Sequence, residues 1–185
     1  MLILMGLFRQ STFADVALTF GPGISDIKGS IKYSVVGRYN AVFEKYEGRL
    51  AVDKDSLSIK SVFLDISSAS IKSPHPSFDK IVRSPQLLNV EKFPSIIFQS
   101  KAITKSGNSY TVVGDLSLHG ITKEIASTFS VIVLPDGTME LKGEWLIRRK
   151  EFGIIWNRLL DKGGILVGDI IAVNWEIKIP KGELQ

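Results

Sequence analysis

Two histidines occur in this chain, and a histidine can give or take a proton near neutral pH. His119 lies in GDLSLHGITKEI, Gly114 to Ile125, where apolar and polar residues alternate on both sides of a His-Gly pair. A general base needs a partner that orients it and a proton within reach. No G-x-S-x-G nucleophile elbow is present, and no H-E-x-x-H. His75 stands between Pro74 and Pro76 in a loop-like stretch. With no cysteine, two isolated histidines make a poor zinc set, although Asp or Glu could complete one in principle. The expectation is that His119 fixes a hairpin corner; a catalytic role is the alternative. No catalytic residue, metal or cofactor is assigned.

The other polar groups are no sharper. Asp79, Asp115, Glu144 and Asp169 fall near strand ends or on polar faces, where solvation accounts for them. Arg148-Arg149 is a local basic pair. It reads either as a surface pair or as a clamp for an anionic head group, because guanidinium meets phosphate or carboxylate with two parallel hydrogen bonds.

What would position these groups is a set of strands, because the dominant period is two. Ile31, Tyr33 and Val35 share a face, as do Val62, Leu64 and Ile66, and Leu116 and Leu118. Phe129, Val131 and Val133 share another, and so do Met139, Leu141, Trp145 and Ile147. Ile171, Val173, Trp175, Ile177 and Ile179 alternate with polar or small residues. One dry face and one wet face is the mark of antiparallel sheet. Eight strands are expected, at roughly 30–39, 41–52, 56–68, 95–105, 109–119, 122–134, 138–149 and 169–179, with Val16 to Phe20 a further short one. Turn signals at 53–55, 106–108, 119–120 and 135–137 favour hairpins in up-and-down order. Eight strands with one-sided apolar faces can close into a barrel, which removes exposed edges. A barrel of that size is either filled by side chains or holds one small ligand, and alternation alone does not choose between them.

Two stretches break the period. Ser73 to Pro94 is helix-like, with Phe78, Ile81 and Val82 on one stripe and Ser84-Pro85 opening a second short turn. It is expected to fold across a barrel end. Phe152 to Gly168 is long, apolar and glycine-bearing, as lid-like loops are.

Composition bounds the rest. The 185 residues fit one domain with a sizeable core, and the domain is expected to run over 15–185. Net charge is +4, from 23 Lys and Arg against 19 Asp and Glu. The cations are scattered, so no nucleic-acid partner is expected. Zero cysteine suits an oxidising compartment. Residues 1–14 read either as a short leader, with Thr12 and Ala14 before a cleavage point, or as a buried segment. No run approaches the roughly 18 apolar residues of a spanning helix, so no stable membrane insertion is expected.

Three motifs then carry a resemblance. YTVVGDLSLHGITKEIASTFSV resembles the hallmark of the YceI-like family of polyisoprenoid-binding, lipocalin-like proteins, through Gly114, Leu116, His119, Gly120, Thr122 and Lys123. FDKIVRSPQLLNVEKFPSIIFQS is similar to the family's helix-to-strand segment through Arg83, Ser84, Val90, Glu91, Lys92, Phe93, Pro94 and Phe98. IRRKEFGI is similar to its Arg-x-x-Phe-Gly element through Arg149, Phe152 and Gly153, and VGDIIAVNWEIKI to its closing strand. Gly29-Ser30 departs from the family's His-Ser, and Lys150 from a small polar residue. The resemblance runs from about Ser30 to Ile179. It implies an all-β, eight-stranded, lipocalin-like antiparallel barrel holding a long isoprenoid in its lumen, exported to the periplasm or secreted, with no established catalytic apparatus. A homodimer stays open, as do an enzyme acting on a lipid-like substrate through His119 and a stress-response or interaction module with a filled barrel. On the barrel reading, Tyr33, Val35, Phe43, Leu64, Ile66, Phe98, Leu116, Leu118, Phe129, Val131, Trp145 and Trp175 are expected to face the lumen. Arg83, Arg148 and Arg149 are the head-group candidates.

Overall fold

Period two governs the computed structural model, which describes residues 15–33, 37–156 and 167–184. In chain order the strands are β1 (Asp15–Phe20), β2 (Ser25–Tyr33), β3 (Gly37–Phe43), β4 (Tyr46–Asp53), β5 (Ile59–Ser67) and β6 (Ile71–Lys72). After helix α1 (Pro76–Arg83) come β7 (Ser95–Ser106), β8 (Ser109–Leu118), β9 (Ile121–Val133), β10 (Met139–Arg148) and β11 (Val167–Ile179). One curled antiparallel sheet of eleven strands results, in the order β1-β4-β5-β7-β8-β9-β10-β11-β2-β3-β6. The all-β class with one short helix is as expected.

The count is eleven rather than eight because the N-terminal third divides differently. The stretch read as strands at 30–39 and 41–52 is three strands, β2, β3 and β4. β3 and β4 are consecutive but do not pair. β1 lies beside β4, from Asp15 opposite Asp53 to Phe20 opposite Gly48, and β6 lies beside β3. The order is therefore up-and-down from β7 to β11 and rearranged before it. β11 meets β2, with Val173 opposite Gly29, so the last strand is joined to the first third of the chain and the sheet wraps round its own apolar face.

That inner face is the core. Along β8, Tyr110, Val112, Leu116 and Leu118 are buried at alternate positions. Along β10 the buried set includes Leu141, Trp145 and Ile147, while Leu146 is 65% exposed. Proline at the first turn opens α1, where its missing N–H costs nothing. Ser84 closes the helix, its N–H donating to Ile81 O, and Ser84-Pro85 opens the expected second turn, with Leu87 N–H and Asn89 N–H donating to Ser84 O. The chain then returns to β7 through backbone bonds such as Leu88 N–H to Val82 O and Phe93 N–H to Asn89 O.

Candidate functional site

Half of the sheet's interior is filled. Five rings run through it in sequence: Tyr110 stacks on Phe129 at 5.0 Å, Phe129 meets Trp175 at 5.5 Å, Trp175 meets Trp145 at 5.7 Å, and Trp145 meets Phe98 at 5.0 Å. Glycines make room for them. A methyl group on Gly143 would lie 2.4 Å from Trp175 Cζ2, and one on Gly114 would lie 2.7 Å from Phe98 Cζ. A void of about 30 Å³ remains among Leu64, Val112, Phe129, Leu141, Trp145 and Trp175.

The other half is hollow. A void of about 140 Å³ is walled by Phe43, Leu64, Ile66, Phe98, Leu116, Leu118 and Ile147, with Ile31, Ile171 and Val173 opposite. Val82 of α1, with Leu87 and Leu88 after it, covers one side. The void opens at one row of the sheet. Gly29 is flanked by Val173 on β11 and Ala41 on β3, and a Cβ added at Gly29 would meet no atom within 4 Å. The wall is thus bare backbone at Gly29, beside a methyl group at Ala41 and an isopropyl group at Val173. A dry cavity of comparable size, about 150 Å³, takes up benzene.

Of the residues expected in the lumen, Phe43, Leu64, Ile66, Phe98, Leu116, Leu118 and Trp145 line this hollow. Phe129 and Trp175 lie in the filled half. Tyr33 does not reach the wall; its ring lies 5.5 Å from Phe78 of α1, in the cover. Val131 packs against the core away from the hollow. Val35 lies outside the described residues, as do 1–14 and most of the Phe152 to Gly168 loop. Tyr39, Ala41, Ile71, Leu87, Leu88 and Ile154 line the hollow without having been singled out, and Val82 joins them from the helical stripe expected across the barrel end. Ile147, Ile171 and Val173 carried the signal, since they alternate on the dry faces. Leu87 and Leu88 sit in a stretch with no periodicity to reveal them.

The three arginines do not form a clamp. Successive residues on a strand face opposite ways, so Arg148 projects outward, with Nε 3.8 Å from Glu151. Arg149 is 1% exposed and lies against the hollow. Its Nε donates to Gly168 O at 2.7 Å, one terminal nitrogen to Ile154 O at 2.5 Å and Trp156 O at 3.2 Å, and the other to Val167 O at 2.9 Å. Burial pulls its pKa down, with Asp169 opposing, yet guanidinium stays charged in proteins. Arg149 thus ties the chain at 154–156 to the start of β11. Arg83 donates to Ile71 O, fastening the end of α1 to β6.

A second polar knot holds the cover. The Asp79 carboxylate, 3% exposed, accepts from Tyr39 Oη at 2.8 Å, from Ser73 Oγ at 2.6 Å and from Ser73 N–H at 3.0 Å. Burial works against its ionisation, but these hydrogen bonds and the Arg83 charge outweigh it and hold the carboxyl below its ordinary value. Burial pushes the Tyr39 hydroxyl up, and the Asp79 carboxylate adds to the rise.

His119 answers its own question by geometry. Leu118 pairs with Ile121, leaving a two-residue loop. His119 has φ 53° and Gly120 φ 76°, the double positive φ of a type I′ hairpin turn. The ring lies 3.1 Å from Phe152 O through Nδ1 and edge-on to Phe93 at 4.6 Å. It thereby joins the hairpin to the segment that Arg149 anchors. Among the described residues, no group of three or more His, Asp or Glu gathers to hold a metal. No helix among them is long and apolar enough to cross a membrane.

Comparison with known proteins follows the same chain. Residues 18–179 match the YceI-like domain. A UPF0312 protein of Shewanella denitrificans is 33% identical over 135 residues, covering 66% of this chain and 69% of its own. One from Serratia proteamaculans is 33% identical over 121 residues, covering 60% and 61%. Among solved structures, Burkholderia cenocepacia BcnA superposes with a TM-score of 0.72 at 20% identity, over 83% of this chain and 95% of that one. A Saccharophagus degradans domain, described as polyisoprenoid-binding and implicated in plant cell wall breakdown, reaches 0.62 at 11%, over 83% and 92%. At those identities the likeness is one of fold. The match over most of its length, in a chain whose sheet curls round a hollow, makes this protein a member of the YceI-like family.

Proposed function

We propose that the protein binds and carries an apolar lipid, a polyisoprenoid, with part of its chain in the hollow of the curled sheet. The observation that carries this reading is the hollow itself: an interior space of about 140 Å³ walled by aliphatic and aromatic side chains. Transfer from water drives binding, at about 0.8 kcal/mol per buried carbon, so one isoprene unit of five carbons contributes on the order of 4 kcal/mol gross. Association and ordering offset part of that. The polyisoprenoid description of the Saccharophagus degradans domain supports the ligand class. We place the protein in the periplasm or outside the cell, since a cysteine-free chain suits an oxidising compartment. His119, bound in its turn, supports a binding role over catalysis.

Native mass spectrometry of the full chain before and after organic extraction tests the proposal. An apolar adduct that extraction removes is the expected result. A protein of bare polypeptide mass that also fails to take up a fluorescent polyene would overturn it.

A further inference from the structure

We propose that Trp145 is the stop that sets how much of an apolar chain enters the barrel. The inference rests on the lipid-holding reading above and goes further, to the length of ligand that the site accepts. Trp145 lines both the hollow and the small void, together with Phe98 and Leu64. Its ring is wedged between Phe98 at 5.0 Å and Trp175 at 5.7 Å, so it forms the floor of one space and the ceiling of the other.

The floor cannot sink. Trp175, beneath it, lies against the backbone of Gly143, and Phe98 lies against that of Gly114. Below them only about 30 Å³ is free. The space above, about 140 Å³, matches in magnitude a dry cavity that holds one benzene ring, six carbons. One isoprene unit therefore fills most of it. A second unit must lie at the rim, and later units lie beyond the apolar wall that the described residues form.

Trp145 is also replaceable without breaking a polar contact. Its indole N–H is buried and has no hydrogen-bond partner, so packing alone holds the ring. Removing it joins the two voids.

The experiment measures the affinity of the full-length protein for prenyl alcohols of one, two, three and four isoprene units, by displacement of a fluorescent polyene. Wild type is expected to gain about tenfold or more from one unit to two, since each newly buried carbon is worth roughly fourfold, and to stay level beyond two. In Trp145→Leu and Trp145→Ala the gain should continue to three units. An affinity that climbs steadily to four units in wild type, or variants that keep the wild-type plateau, would refute the stop while leaving lipid binding intact. Failure of every alcohol to displace the polyene would sink the lipid reading and the stop with it. If both variants fail to fold, the presence or absence of the wild-type plateau still decides.

Discussion

Leucine at position 29 is the simplest way to fill the hollow. Nothing stands within 4 Å of the new Cβ, and the side chain would enter apolar space. Each carbon buried contributes about 0.8 kcal/mol, less whatever strain overpacking brings. Gly29→Leu is expected to keep or raise the melting temperature and to abolish uptake of a polyene, read by calorimetry and fluorescence on one preparation. Arg149→Met should do the reverse to stability. It would leave the carbonyls of Ile154, Trp156, Val167 and Gly168 without their donor, at a cost on the order of 4 kcal/mol in urea unfolding. Gly29 also explains a blind spot in the sequence. β2 places Ser25, Ile27, Gly29 and Ile31 on its inner face, and the missing side chain interrupts the alternation that marks a strand. The residue that opens the hollow is the one that hides the strand beside it.

At the scale of elements, α1 is a cover fastened by a buried carboxylate. The folded-state pKa of Asp79 lies below its ordinary value. Its contribution to stability is therefore fully present above the unfolded value, about 3.9, and is lost as pH falls through the folded one. Melting temperature followed from pH 7 down to pH 2 should drop more steeply on the acid side in wild type than in Asp79→Asn. Asp79→Ala, which also removes the acceptor for Tyr39 and Ser73, should cost on the order of 3 kcal/mol, roughly 10 °C at this chain length. The strands from β7 to β11 were legible to within two residues at each end, because each is a clean alternation bounded by a turn sequence. The hairpin at His119-Gly120 was read at its true position for the same reason. β3 and β4 were not: Asn40, which fell between the strands expected at 30–39 and 41–52, lies inside β3 with its polar side chain outward.

Over the whole molecule, a packed half and a hollow half predict uneven stability. Contacts are dense round the five linked rings and sparse under the cover, and local opening follows contact density. Hydrogen exchange should be slowest at the amides of Val112, Leu141 and Ile177 and fastest in α1 and the 84–94 segment; uniform protection would contradict the division. The division itself was not legible. Alternation identifies which side chains point inward, not whether they meet, and that depends on the sizes of residues brought opposite each other by register. Phe129 and Trp175 face inward as surely as Leu116 and Leu118, yet they fill space that the others leave.

The two indoles at the floor lie 5.7 Å apart with their planes at 37°, close enough for their electronic transitions to mix. Such coupled chromophores give the far-ultraviolet circular dichroism a pair of bands of opposite sign, whose strength depends steeply on their mutual angle. Any guest that nudges Trp145 rewrites that spectrum, so the protein carries an unlabelled optical gauge of how deeply its interior has been entered.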